Sequence, residues 1–213
     1  MGKIERRLFL QGMTAGAAGG LTGLIQRALA ADAKSPRQGI IRINGDVSVN
    51  GKPAQVGTPV MPGETVSTGA GSQAVFVIND NAFMQRANGR VDFGDNPVAG
   101  FMRVVTGALL SVFGKGGRQL ATPTATIGIR GTGCYIETAE RKSYFCLCFG
   151  AVDLRPLDGQ PLSYATTHHE RPVWIEKGAT SPAPLIDHTD AEIIMLEALV
   201  GRGSPFPAGV KQY

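Results

Sequence analysis

The chain has 213 residues, 43% of them hydrophobic and 18% charged, too apolar for a disordered segment and too short for several enzyme modules. Its 29 glycines and 13 prolines follow no G-x-y period, which excludes collagen and favours short strands joined by many turns. The formal charge of +4 is concentrated at the N-terminus, where Lys3, Arg6, Arg7 and Arg27 face only Glu5; the near-neutral remainder has no electrostatic footprint for nucleic acid.

Residues 1–31 read as an export signal. A basic head is followed by an apolar stretch rich in alanine and glycine, with small residues at Ala28, Ala30 and Ala31 where a peptidase can cut. Arg6 and Arg7, followed by Leu8, Phe9 and Leu10, look like a twin-arginine (Tat) signal, with an ordinary Sec signal as the alternative. Gly12, Gly16, Gly19, Gly20 and Gly23 interrupt the apolar stretch, which makes it a poor membrane helix, and no later run of 18 apolar residues occurs. A periplasmic location and a mature chain without a transmembrane segment are expected.

Residues 39–154 read as a β-domain. Asn-Gly pairs at 44–45, 50–51 and 88–89 mark turns that accept positive φ. In QAVFVI, Val75 and Val77 face one way and Phe76 and Ile78 the other, so both faces of that strand are expected to be covered. Long helical patterns between strands are missing, which argues against βαβ architectures. The expectation is a mainly β fold, a β-sandwich, roll or short β-helix, with a single C-terminal helix.

Prolines 156, 161, 172, 182 and 184 break residues 155–188 into a loop or edge-strand extension. Residues 189–213 form the C-terminal helix and tail. Thr189 and Glu192 have capping-box spacing, Gly201 and Gly203 stop the helix, and Ala191, Ile194, Met195, Ala198 and Leu199 are expected to pack on the sheet.

Four segments, in order, carry a family resemblance: VGTPVMPGETVSTGAGSQAVFVINDNAFMQ, the strand VVTGALLSV, ATPTATIGIRGTGCYIE with its IGIRGT motif at 127–132, and the closing FCLCFGAVDL. From about Val47 to Leu154 the chain resembles the FecR domain, an extracytoplasmic β-module whose best-known members pass a periplasmic signal to a sigma factor. That relay uses a cytoplasmic helical domain and a membrane helix, neither of which is expected in this chain. The resemblance therefore implies a non-enzymatic binding or structural domain of a sensory or envelope system, with a protein or envelope partner. Within the motif, Gly128, Gly131 and Gly133 are expected to permit bulges or close backbone approach. Arg130 is expected to pair with an acidic group, and Thr132 to satisfy the turn.

The cysteines and histidines carry the chemistry. Cys146 and Cys148 are two apart, so strand alternation puts both on one face. A hairpin turning at AERK is expected to bring Cys134 opposite Cys146, and His168, His169 and His188 follow in the extension. Thiolates and imidazoles are strong ligands for zinc, copper, iron or an iron–sulfur cluster. The candidate ligands are Cys134, Cys146, Cys148, His168, His169 and His188, with His168 or His169 favoured over His188 and only one of the adjacent pair expected to join. Alternatives are a disulfide such as Cys134–Cys146, a thiol-based redox sensor, plain core cysteines, and a peptidoglycan-binding module. No catalytic residue is assigned: G-x-S-x-G and H-E-x-x-H are missing, and the surroundings of Asp80, Asp92 and Asp95 read as turn chemistry. Tyr144, Phe145, Phe149 and Trp174 read as core or groove aromatics.

Overall fold

The computed structural model describes residues 37–94, 101–209 and Tyr213; the export-signal segment lies outside them. The fold is mainly β, with one helix near the C-terminus. The strands are β1 (Gly39–Asn44), β2 (Val47–Val49), β3 (Lys52–Pro53), β4 (Thr65–Thr68), β5 (Gln73–Ile78), β6 (Asn81–Gln85) and β7 (Arg90–Phe93). They continue as β8 (Phe101–Val112), β9 (Gly117–Ala121), β10 (Ala125–Thr138), β11 (Lys142–Pro156), β12 (Leu162–Thr166), β13 (Val173–Glu176) and β14 (Ala179–Pro182). The helix α1 is Asp190–Leu199. No helix among the described residues is long and apolar enough to cross a membrane.

All these strands join one hydrogen-bonded sheet, because the three longest change partners along their length. β8 pairs with β7 through Met102–Thr106 and with β6 through Leu109–Val112. β10 pairs with β9 through its first half and with β8 through its second. β11 runs beside β10 throughout, while its other edge meets β13 at Lys142–Phe145 and β12 at Gly150–Leu154. Between those two edge strands, residues 146–149 of β11 have no strand on their outer side.

Apolar alternation accounts for two buried faces. Phe76, Phe83, Leu109, Leu120, Ile127, Ile136, Phe145 and Leu147 belong to the main core, and Phe76 stacks on Phe83 with ring centroids 5.1 Å apart. Val75, Val77, Met84, Leu110, Tyr135 and Tyr144 point away from that cluster and are also buried. β5 is therefore covered on both faces, as its sequence predicts. The prolines of 155–188 delimit three short strands at the margin of the sheet, β12 and β14 on its edge and β13 between β11 and β14, with Pro182 in the edge strand β14, where a missing N–H is tolerated.

The IGIRGT stretch lies inside β10. Arg130 pairs with Asp153 at 3.1 Å on the surface. Thr132 departs from expectation. Its carbonyl accepts from the Phe113 N–H at 2.8 Å, while its buried hydroxyl has no hydrogen-bond partner. The register shifts between Arg130 and Gly133 and again between Gly133 and Cys134, so the glycines serve bulges. Asp80 occupies the β5–β6 turn, but Asp92 lies in β7, where it accepts from Thr65 Oγ1 at 2.7 Å.

Gly150, opposite this bulge, has φ +99°, and a Cβ there would lie 2.5 Å from Thr132 Cγ2 and 3.0 Å from the Gly131 carbonyl oxygen. Gly150→Ala is expected to cost about 1–3 kcal/mol through backbone strain and overpacking. Denaturant unfolding measures it, and an unchanged midpoint would refute this account of the bulge.

Candidate metal centre

The hairpin forms as expected, with β10 and β11 joined through Ala139–Arg141, but its register differs by one residue from the sequence reading. Tyr135 is opposite Cys146, and Cys134 is opposite Leu147. One residue of slip reverses the face of a strand side chain. Cys134 therefore belongs to the main core with Leu147, and burial pushes its thiol pKa up, with the nearby Cys146 charge adding to the effect. It is not part of the donor cluster. All three cysteines are free and buried, so the Cys134–Cys146 disulfide is not formed.

Cys146 and Cys148 lie on the other face, in the stretch of β11 that has no strand beside it. The bend after β12 fills that place, and the His169 N–H donates to the Cys148 carbonyl at 3.1 Å. Cys148 itself is the extra residue of the bulge, falling between Leu147 and Phe149, which pair with Cys134 and Gly133. His169 adopts φ +52°, a left-handed backbone that non-glycine residues enter at some cost and that recurs at functional sites. That turn separates the adjacent rings of His168 and His169 and aims His169 inward.

The fourth donor is His188, the residue before the helix cap. Cys146 Sγ, Cys148 Sγ and a ring nitrogen each of His169 and His188 lie within 4.8 Å of one another, and all four residues are buried. Cys146 Sγ is 3.5 Å from His169 Nδ1, which is 3.1 Å from His188 Nε2. His188, ranked below its neighbours from sequence, is thus in the cluster. His168 is outside it: its Nε2 meets Asp190, and its ring packs against Phe206 and Tyr213.

Outer groups hold both imidazoles. Asp190 accepts from His169 Nε2 at 2.9 Å and from His168 Nε2 at 2.8 Å, and the Ile186 carbonyl accepts from His188 Nδ1 at 2.6 Å. Tyr135 stacks on His188 with ring centroids 4.6 Å apart. Asp190, at 1% exposure, has no metal-like spacing in the sequence and was not anticipated. Its only signal was its place directly after a capping threonine.

Electrostatics polarise the cluster. A hydrogen bond from Cys148 is the main influence holding the Cys146 thiol well below its ordinary range; burial opposes it, while His169 and His188 reinforce it. Burial raises Cys148, and its bond to Cys146 adds to that. For His169, burial favours the neutral ring, yet Cys146 and then Asp190 together hold its pKa above the usual value. The site gathers two sulfurs and two ring nitrogens, a donor set suited to a soft or borderline metal ion.

Helix α1 sets two of these positions. Thr189 accepts from the Glu192 N–H, and the Glu192 side chain accepts from the Thr189 N–H, completing the expected capping box. Arg86 pairs with Glu192 at 3.0 Å and donates to the Asp187 carbonyl at 2.6 Å, fastening the helix start to the end of β6. The buried side of the helix is Asp190, Ile193, Met195, Leu196 and Glu197, not the stripe of Ala191, Ile194, Met195, Ala198 and Leu199; only Met195 is common to both. Two carboxylates face inward because each has a partner there: Asp190 has the histidines, and Glu197 has Arg202.

Beside the cluster lies a cleft of about 560 Å³ lined by Arg86, Tyr135, Glu137, Lys142, Trp174 and Asp187. Lys142 sits over the Trp174 ring at 4.1 Å, while Tyr144 and Phe145 are fully buried. Trp174 is thus a groove aromatic, as expected.

No protein-family model matches the chain, and no curated protein matches it. Among solved structures, it is similar to a candidate anti-sigma factor from Parabacteroides distasonis, seen in crystals at 1.65 and 2.50 Å resolution. Each match has a TM-score of 0.48 at 9% identity and covers 56% of this chain and 58% of that one. The chain thus spans a little over half the length of those neighbours.

Thr189→Ala removes the cap between His188 and Asp190. It is expected to cost about 1 kcal/mol, a fall of roughly 2–4 °C in Tm for a domain of this size. A calorimetric scan showing no fall would mean that the packing of α1, rather than its cap, sets these two residues.

Proposed function

We propose that this chain is a FecR-like domain exported to the periplasm by a Tat-type signal, acting as a non-enzymatic binding or structural component of a sensory or envelope system and containing a bound metal ion. One observation carries the metal part: Cys146, Cys148, His169 and His188 converge in a buried place where the sheet meets the C-terminal segment. The β-rich body and the quoted FecR-like segments support the rest. A Tat signal agrees with this reading, since that route exports folded proteins whose metal is already bound. A metal that binds only the folded chain stabilises it by linkage.

A second reading, thiol-based redox sensing, is favoured by the lowered Cys146 pKa beside Cys148, because a thiolate next to a thiol is poised for disulfide exchange. Thiol titration in denaturant separates the two. The metal reading predicts three titratable thiols once the metal is chelated; the redox reading predicts one thiol, with the other two recovered only after reduction.

Protein purified from the periplasm without reductant or chelator is expected to carry about one equivalent of transition metal by elemental analysis. Lysine substitution of both Arg6 and Arg7 is expected to leave the protein in the cytoplasm. Metal-free protein with a disulfide would overturn the metal reading, and unimpaired export of the double variant would overturn the Tat assignment.

A further inference from the structure

The two buried imidazoles present the same problem twice. Each has one nitrogen committed to a group that can only accept: a carboxylate for His169 and a carbonyl for His188. Those nitrogens must carry N–H. The other two ring nitrogens, His169 Nδ1 and His188 Nε2, face each other 3.1 Å apart, with the Cys146 sulfur 3.5 Å from the first. Three electron-pair donors meeting away from water repel one another unless something positive lies between them. A proton can serve one pair at a time, whereas a metal ion serves all of them and Cys148 as well.

The distances suit a tetrahedral ion such as zinc. Zinc–nitrogen bonds of about 2.0–2.1 Å and zinc–sulfur bonds of about 2.3 Å, set at tetrahedral angles, require nitrogen–nitrogen separations of about 3.3 Å and nitrogen–sulfur separations of about 3.6 Å. The observed 3.1 and 3.5 Å lie within a few tenths of an ångström of these. A two-iron cluster with this ligand set holds both imidazoles on one iron and both thiolates on the other, which would part sulfur from nitrogen; the 3.5 Å between Cys146 Sγ and His169 Nδ1, with all four donor atoms within 4.8 Å of one another, fits a single centre. Two thiolates and two imidazoles also exclude the oxygen-seeking cations magnesium and calcium.

We propose that Cys146 Sγ, Cys148 Sγ, His169 Nδ1 and His188 Nε2 form a mononuclear, closed tetrahedral site for zinc(II), and that this ion clasps the C-terminal segment to the sheet. The proposal rests on the metal-holding reading above and deepens it. Two ligands come from β11, one from the bend after β12 and one from the residue before the α1 cap. The site therefore joins the hairpin to the helix start. Asp190 is a positioning residue: it fixes the His169 tautomer by accepting from Nε2, the role an outer carboxylate plays behind a metal-bound histidine. Cys134, on the opposite face, and His168, beyond Asp190, are not ligands.

Cobalt(II) is the probe. Full-length mature protein, stripped with chelator and titrated with cobalt(II), is expected to bind one equivalent. It should show the intense visible bands of tetrahedral cobalt together with sulfur-to-cobalt charge transfer. Zinc is expected to displace the cobalt. Cys134→Ser and His168→Ala are expected to keep the stoichiometry and the spectrum. Asp190→Asn is expected to keep both while binding zinc about 10–100-fold more weakly. Chelation is expected to expose residues 184–200 to protease, and zinc to protect them again, a readout independent of whether ligand variants fold. Weak octahedral bands, loss of the charge-transfer band in Cys134→Ser, or iron–sulfur absorption in protein as isolated would overturn the closed site while leaving a metal-containing protein. Absence of any metal binding would overturn both readings.

Discussion

The bond from the His169 N–H to the Cys148 carbonyl, 3.1 Å, closes a gap on which the rest of the centre depends. β11 is flanked by β13 at one end and β12 at the other, leaving residues 146–149 without a strand beside them. A buried strand edge with open carbonyls is costly, and here a bend supplies the missing donor. The same bend carries an imidazole into contact with the Cys146 sulfur. Satisfying the backbone and assembling the donor cluster are one geometric event.

The cluster in turn fixes what lies above it. Asp190 gathers His168 and His169, and its neighbour Thr189 caps the helix, so α1 begins where the second layer of the site ends. Arg86 holds the same corner from the side of β6. Tyr135 lies flat against His188 and also lines the cleft, so a group entering the cleft would touch a ring that supports the centre.

Much of this was legible in the sequence because it is local. Alternation in QAVFVI, the Asn-Gly turns, the hairpin at AERK and the Thr189–Glu192 capping box are each decided within a few residues. The position of Cys134 was not, because its partner is set by how the Ala139–Arg141 turn closes, with Thr138 opposite Ser143, and one residue of difference in that closure exchanges inner for outer faces. Reading the helix stripe from hydrophobicity alone failed for a related reason. Asp190 is buried by histidines some twenty residues away and Glu197 by Arg202, just past the helix end, and no periodicity in AEIIMLEALV announces them. Of two adjacent histidines, only His169 enters, as alternation suggested, although a positive φ rather than strand geometry separates the pair.

X-ray absorption at the metal edge of protein isolated from the periplasm tests the central claim most directly, since it reports the neighbours of the ion without substitution or unfolding. The account predicts a zinc edge whose first shell fits two sulfurs at about 2.3 Å and two nitrogens at about 2.0–2.1 Å. A shell of oxygen and nitrogen alone, three sulfurs, or an iron–iron vector would contradict it.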